Sequence, residues 1–260
     1  MTSGLNGAQI LVTRPAAQAD TLCGLIQQQG GKALRFPTLE IRPAPVDDEA
    51  IENALGSDWL IFTSTNAVDF ALKALDGKMQ RLQTARIAAV GPTTANALRQ
   101  AGLSVACVPE TEFTSEGLLA QVAMRQVDAK HITLVRGVGG REKLAETLRS
   151  RGATIGYLEV YCRQRPDIDN SPLIDQLRAG TLAATTITSG EALQNLLAML
   201  DTASAALLRK LPLVVVSDRI GQQAQQLGFE HIAVSLQPTD AAILETLTTL
   251  LNGENSGRSN

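Results

Sequence analysis

The chain has 260 residues, of which 44% are hydrophobic and 19% charged, with a net charge of −3. That length suffices for two modest domains, and the acidic balance excludes the broad basic surface that nucleic-acid binding normally needs. Apolar runs such as "LVVV" at 213–216 fall far short of the roughly 18 residues of a membrane span.

From the amino end, "MTSGLNGAQ" lacks a charged stretch followed by an apolar core, so no secretory signal is read and a cytoplasmic setting is expected. Strands are predicted at 9–13, 32–36, 58–62, 87–90, 105–108, 131–135, 153–157, 184–187, 212–216 and 231–234. Helical patterns of roughly 10–14 residues fall between most of them, the alternation of βαβ units and parallel sheets. Five strands per half predict an α/β chain of two similar doubly wound domains. Cys23, Cys107 and Cys162 form neither a CxxC pair nor an even set, which fits a reducing compartment and buried or half-buried thiols. His131 and His231 each precede an apolar run, the place of a strand-entry residue. Without His or Cys clusters, neither a metal site nor a Ser-His-Asp triad is expected.

The chain also repeats itself. "IFTSTNAVDF" at 61–70 is echoed by "TITSGEALQN" at 186–195, and Gly102 matches Gly228 at a separation of 126. "ILVTRPAAQADTLCGLIQQQGG" from Ile10 similarly matches "ITLVRGVGGREKLAETLRSRG" from Ile132. So long a period implies two copies of one architecture, not a solenoid. Residues 36–45, "FPTLEIRPAP", and 157–166, "YLEVYCRQRP", read as extended connectors able to pair with each other, the first being too proline-rich for a central strand. On that reading, residues 1–37 and 167–260 form one domain, built from both chain ends. Residues 38–166 form the other, including the connector strands near 38–44 and 157–166. A tandem break near 130 is the alternative.

In open α/β sheets ligands bind beyond the carboxyl ends of the strands, where helix N-termini present unpaired N–H groups. Six strand-to-helix junctions fall at such places. They nominate Thr13, Arg14, Thr63, Ser64, Gly91, Thr94, Arg136, Gly137, Ser189, Gly190 and Ser217 as binding residues. Hydroxyls there can cap their helices, and together the junctions suggest walls lined with anion-seeking amides. The ligand would carry several carboxylates or phosphates. "RGVGGRE" at 136–142 is not GxGxxG, so no nicotinamide cofactor is expected. Tyr161, in the second connector where two lobes would meet, can donate a proton or hydrogen bond to a leaving hydroxyl; equally, it can simply pack its ring.

"ILVTRP", "IFTSTNAV", "AVGPTTANAL", "TSEGLL" and "LEVYCRQRP", in this order, resemble the uroporphyrinogen-III synthase family from about Ile10 to Leu250. The resemblance implies two flavodoxin-like domains joined by a two-stranded connector, and conversion of a linear tetrapyrrole, hydroxymethylbilane, into uroporphyrinogen III. It implies loss of water and inversion of ring D, with no metal or organic cofactor, on a substrate carrying eight carboxylates. The path implied runs through an azafulvene cation and a spirocyclic pyrrolenine, so positioning should dominate catalysis. By resemblance Tyr161 assists departure of the hydroxyl, and Thr63, Ser64, Thr94, Ser189 and Gly190 match ligand-facing positions. One departure is the turn Ser217-Asp218-Arg219-Ile220-Gly221, where many members have Gly-Pro-Thr-Thr-Ala; Asp218 would repel a carboxylate if it faced inward. The competing expectation is a two-domain protein that binds a small polyanion without chemistry. A monomer is expected, with a disordered polar tail over residues 252–260.

Overall fold

The computed structural model describes residues 4–75, 81–82 and 85–256. In chain order the N-terminal elements are β1 (Gln9–Val12), α1 (Asp20–Gln28), β2 (Lys32–Arg35), β3 (Glu40–Pro43), α2 (Asp48–Leu55), β4 (Trp59–Phe62) and α3 (Thr65–Leu75). Next come β5 (Arg86–Ala89), α4 (Pro92–Gln100), β6 (Val105–Cys107), α5 (Ser115–Ala120), α6 (Val122–Arg125), β7 (His131–Gly137) and α7 (Lys143–Ser150). The remainder are β8 (Thr154–Gln164), α8 (Ser171–Ala179), β9 (Leu182–Ile187), α9 (Gly190–Ala198), α10 (Thr202–Arg209), β10 (Leu213–Val215), α11 (Asp218–Gln226), β11 (Ile232–Val234) and α12 (Asp240–Ser256).

The chain divides into two compact units, residues Met1–Glu40 with Gln164–Asn260, and residues Ile41–Arg163. The first holds the sheet β11-β10-β9-β1-β2, and the second is built on β3-β8-β7-β4-β5-β6. Matching β7 to β1, β8 to β2, β4 to β9, β5 to β10 and β6 to β11 gives one spatial order for both sheets, with β3 added to the second. The chain visits that order differently. In the first unit the central β1 comes first; in the second its counterpart β7 comes fourth among the matched five. The second unit is therefore a circular permutation of the first, and the first has the 2-1-3-4-5 order of flavodoxin-like sheets.

Alternating side chains explain why both sheets are covered on both faces. In β4, Leu60 and Phe62 join Ile87, Ala89, Val135 and Leu158 on one side, while Trp59 and Ile61 join Ala88, Ile132 and Leu134 on the other. In the first unit, Leu11, Leu213 and Val215 face one cluster, and Ile10, Val12 and Val214 face the opposite one. Truncating one of these fully buried leucines or isoleucines to Ala would cost about 2–5 kcal/mol.

The connector strand expected near 38–44 is β3 (Glu40–Pro43), beside β8 at the rim of its sheet. A rim position suits Pro43, because a proline has no N–H to give a further neighbour. Two expectations are corrected here: the strand predicted at 153–157 and the second connector are one continuous element, β8, and the tail expected to be disordered from residue 252 begins as helix. The tail is helical through Ser256, because α12 propagates from a segment anchored by buried Ile243 and Leu247; residues 257–260 lie outside the described residues.

Candidate active site

Doubly wound sheets bind ligands where neighbouring strands send their connections in opposite directions. In the second unit that point lies between β4, which leads toward β5 and β6, and β7, which leads toward β8. A cavity of about 360 Å³ lies there, lined by Thr63, Ser64, Ser115, Tyr161, Arg163 and the turn at residues 136–141. Five of the nominated residues, Thr63, Ser64, Arg136, Gly137 and Tyr161, meet at this one place.

Ser64 stands just before α3, and its Oγ accepts the Ala67 N–H at 3.1 Å. The same Oγ lies 3.2 Å from the Tyr161 hydroxyl, with either atom able to donate. Thr63 has its hydroxyl on the Val135 carbonyl at 3.3 Å. Tyr161 lines the cavity while only 2% exposed. Its ring leans on Phe70, with centroids 5.8 Å apart, and on the backbone of Gly137. A Cβ at position 137 would stand 2.6 Å from the Tyr161 ring, closer than carbon atoms tolerate. Glycine is required there for the close approach, not for an unusual φ.

Arg136 plays a different part from the one its position suggested. Its side chain is only 9% exposed. The guanidinium donates to Glu159, to the carbonyls of Gly140 and Arg141, and pairs with Glu142 at 2.7 Å. Those partners occupy a group that was expected to face a ligand. Around it, Tyr157 donates to Glu142 at 2.5 Å and accepts from Arg149 at 2.8 Å. The Tyr157 hydrogen bond, then the Arg136 charge, hold the Glu142 carboxyl below its ordinary range. Desolvation, then the Glu142 carboxylate, raise the Tyr157 phenol above its own, so the phenol keeps the proton it donates.

The remaining nominated residues do not line this cavity. Gly91 caps α4 with Pro92 in the first turn, at the next junction along the same sheet. Thr94 is 4% exposed, so its side chain faces the interior. In the first unit, Thr13 is completely buried with its hydroxyl on the Thr186 carbonyl at 2.8 Å. Its side chain is thereby removed from any ligand-facing role, because it ends a strand covered on both sides. Arg14 is paired with Asp240 of α12. Ser189 caps α9 through Ala192 N–H at 3.0 Å. Gly190 is covered by Gln223, whose amide donates to its carbonyl at 3.4 Å. Ser217 caps α11, with Asp218 and Arg219 exposed beside it. Ser115 and Arg163 were not nominated; Ser115 follows the capping Thr114 in the "TSEGLL" segment, which was the signal available for it.

A larger hollow of about 800 Å³ lies at the amino ends of the first unit's strands, between residues 4–8, 180–183 and 210–212. It is the wrong end of the sheet for helix N-terminal donors, and the smaller cavity is the better candidate. Among the described residues, no cluster of three or more His, Cys, Asp or Glu side chains could hold a metal ion. None of the described helices is long and apolar enough to cross a membrane.

Fold and site together define a two-unit flavodoxin-like α/β protein whose candidate site combines helix N-termini with a buried tyrosine. Residues 20–245 match the family model of uroporphyrinogen-III synthase HemD. A curated relative, uroporphyrinogen-III synthase of Escherichia coli, is 32% identical over 245 residues, covering 92% of this chain and 99% of its own. The Salmonella typhimurium protein of the same name is 31% identical with the same coverage. The crystal structure of uroporphyrinogen-III synthetase from Helicobacter pylori aligns with a TM-score of 0.64 at 17% identity, over 94% of this chain and 99% of that one. A mutant uroporphyrinogen III synthase from Thermus thermophilus aligns at 0.60 and 18%, over 96% and 98%. At those identities the structural likeness speaks for the fold. The chain belongs to the uroporphyrinogen-III synthase family.

Proposed function

We propose that this chain closes hydroxymethylbilane into uroporphyrinogen III, losing water and inverting ring D, as a lyase that needs no cofactor. The observation that carries the reading is the family match over residues 20–245, and the cavity between β4 and β7 supports it. The carbon–oxygen bond of the substrate's hydroxymethyl arm breaks with its electron pair leaving on oxygen. Tyr161, held beside Ser64, protonates or hydrogen-bonds that departing oxygen, which leaves as water. The resulting cationic arm is attacked by the substituted carbon of ring D; the spirocyclic intermediate fragments and recloses with ring D turned over. The proton lost when the last ring regains aromaticity balances the one given to the leaving group.

Most reactive groups belong to the substrate, so the protein's contribution is to hold one curled conformation. Helix N-terminal amides beside Ser64 and Ser189 suit its carboxylates, and a soluble monomer working in the cytoplasm suits the ordinary composition. Adding the purified protein to fresh hydroxymethylbilane should yield the type III isomer. Finding only the spontaneously formed type I product would refute the reading.

A further inference from the structure

The pairing of β7 with β8 is regular from His131 opposite Thr154 to Arg136 opposite Glu159, then shifts so that Gly137 stands opposite Tyr161. Val160 is the residue skipped. A bulge of this kind bends its strand and re-aims the side chains that follow. Here it brings the Tyr161 ring over Gly137 and its hydroxyl toward Ser64.

Arg136 and Glu159 are the last regular pair before that shift, and they are joined by side chains as well as by register. The same guanidinium fixes the turn on the far side of Gly137 through the Gly140 and Arg141 carbonyls. Its Cζ lies over the Tyr157 ring, 4.2 Å from the ring centre, and Tyr157 in turn hydrogen-bonds Glu142. An ion pair kept only for stability would gain little at this site, since the Glu142 and Glu159 side chains are 46% and 33% exposed and partly solvated pairs contribute little. Its placement at the bulge offers a second reason for it.

We infer that Arg136, Glu159, Glu142 and Tyr157 form a positioning clamp that fixes the bulge and so sets the direction of the Tyr161 hydroxyl. The inference rests on the role given to Tyr161 above, and it assigns these four residues an effect through Tyr161 rather than through the ligand. Arg136 in particular organises the cavity wall.

The test has two arms. The chain has two tyrosines, so protein labelled with carbon-13 at the tyrosine Cζ gives signals that Tyr157→Phe assigns directly. Without any substrate, Glu159→Gln and Glu142→Gln should each move or split the Tyr161 signal while thermal melting shows the variant folded. An unmoved signal in both would overturn the clamp. In the kinetic arm, Glu159→Gln should lower kcat about tenfold, the scale of a small misplacement of a reacting group, with KM changed less than about twofold. On a Tyr161→Phe background the same change should lower kcat by less than about twofold, because the residue it positions has lost its hydroxyl. Equal factors in both backgrounds would overturn the inference. If the unaltered protein makes no type III isomer, the functional reading fails instead, and the signal of Tyr161 still judges the clamp.

Discussion

Two corners of this molecule are built on the same plan and finished differently. In the first unit the arginine after the central strand, Arg14, pairs with a single carboxylate, Asp240, and β1 runs beside β2 in unbroken register. In the second, Arg136 is bracketed by two glutamates, and the register with β8 breaks immediately after it. The serines that cap the helices across the switch point are alike, Ser189 and Ser64 each accepting an N–H from three residues on. What differs is the neighbour: Ser189 is followed by a glycine packed under Gln223, whereas Ser64 faces the hydroxyl of Tyr161. A common frame can therefore supply amide donors at both corners, while one skipped residue and one glycine bring a tyrosine hydroxyl to a single corner.

The widest gap between the two should come from Tyr161→Phe. It removes a hydroxyl but keeps the ring on Phe70 and Gly137, so turnover should fall about a hundredfold, as loss of a positioned acid does. Melting should stay within a few degrees of the parent, and unchanged kinetics would reduce Tyr161 to a packing residue. Ser189→Ala, on the other corner, should cost far less activity because its hydroxyl serves its own helix.

Glycine substitutions sharpen the contrast. In Gly137→Ala the new methyl meets a ring wedged between Phe70 and the backbone, so stability should drop by about 1–3 kcal/mol and turnover should fall with it. In Gly190→Ala the methyl would stand 2.1 Å from Oε1 of Gln223. That atom ends a flexible side chain that can swing aside, so the loss should stay under about 1 kcal/mol. Denaturant unfolding of the two variants separates the cases; equal losses would mean Tyr161 is not held as tightly as its contacts imply.

Thr65→Pro and Gly190→Pro probe the main chain itself. Both positions open a helix, where proline fits the fold but removes an N–H. If each amide meets a substrate carboxylate, KM should rise about fivefold, the equivalent of one hydrogen bond near 1 kcal/mol, with melting little changed. An effect at one corner only would show which unit does the binding.

The smallest effect concerns acid. Glu142 has its carboxyl held low by Tyr157 and Arg136. A lowered value means that the folded protein gains stability above the ordinary glutamate range of about 4.3 and loses it as pH falls through the lowered folded value. Glu142→Gln should therefore melt slightly below the parent at neutral pH, with the gap closing in acid below about pH 4. A gap that widened in acid would contradict the charge state assigned to the clamp.

Much of this fold was legible as pattern. Runs such as "WLIF" and "LVVV" are apolar at every position because both faces of their strands are covered, and the serine and glycine junctions declared where helices begin. The prolines of residues 36–45 were read as incompatible with a central strand, which holds, but they do not prevent a short rim strand. Repeat matching located corresponding pieces without showing that one unit is a permutation of the other, because strand order in space is not written in chain order. The bulge left no local mark either: Val160 is an ordinary β-branched residue, and only the register shows that it is skipped. Arg136 is nominated as a ligand residue because it stands at a strand-to-helix junction. Its real partners, Glu142 and Glu159, reach it from a loop and from the adjacent strand.

The most direct measurement is single-turnover formation of the type III isomer by the parent protein and by Tyr161→Phe, each mixed with freshly prepared hydroxymethylbilane. The account predicts that the parent forms type III rapidly, while the variant binds with similar affinity but cyclises about a hundredfold more slowly, leaving the spontaneous type I product to accumulate. Equal rates of type III formation by the two proteins would contradict it.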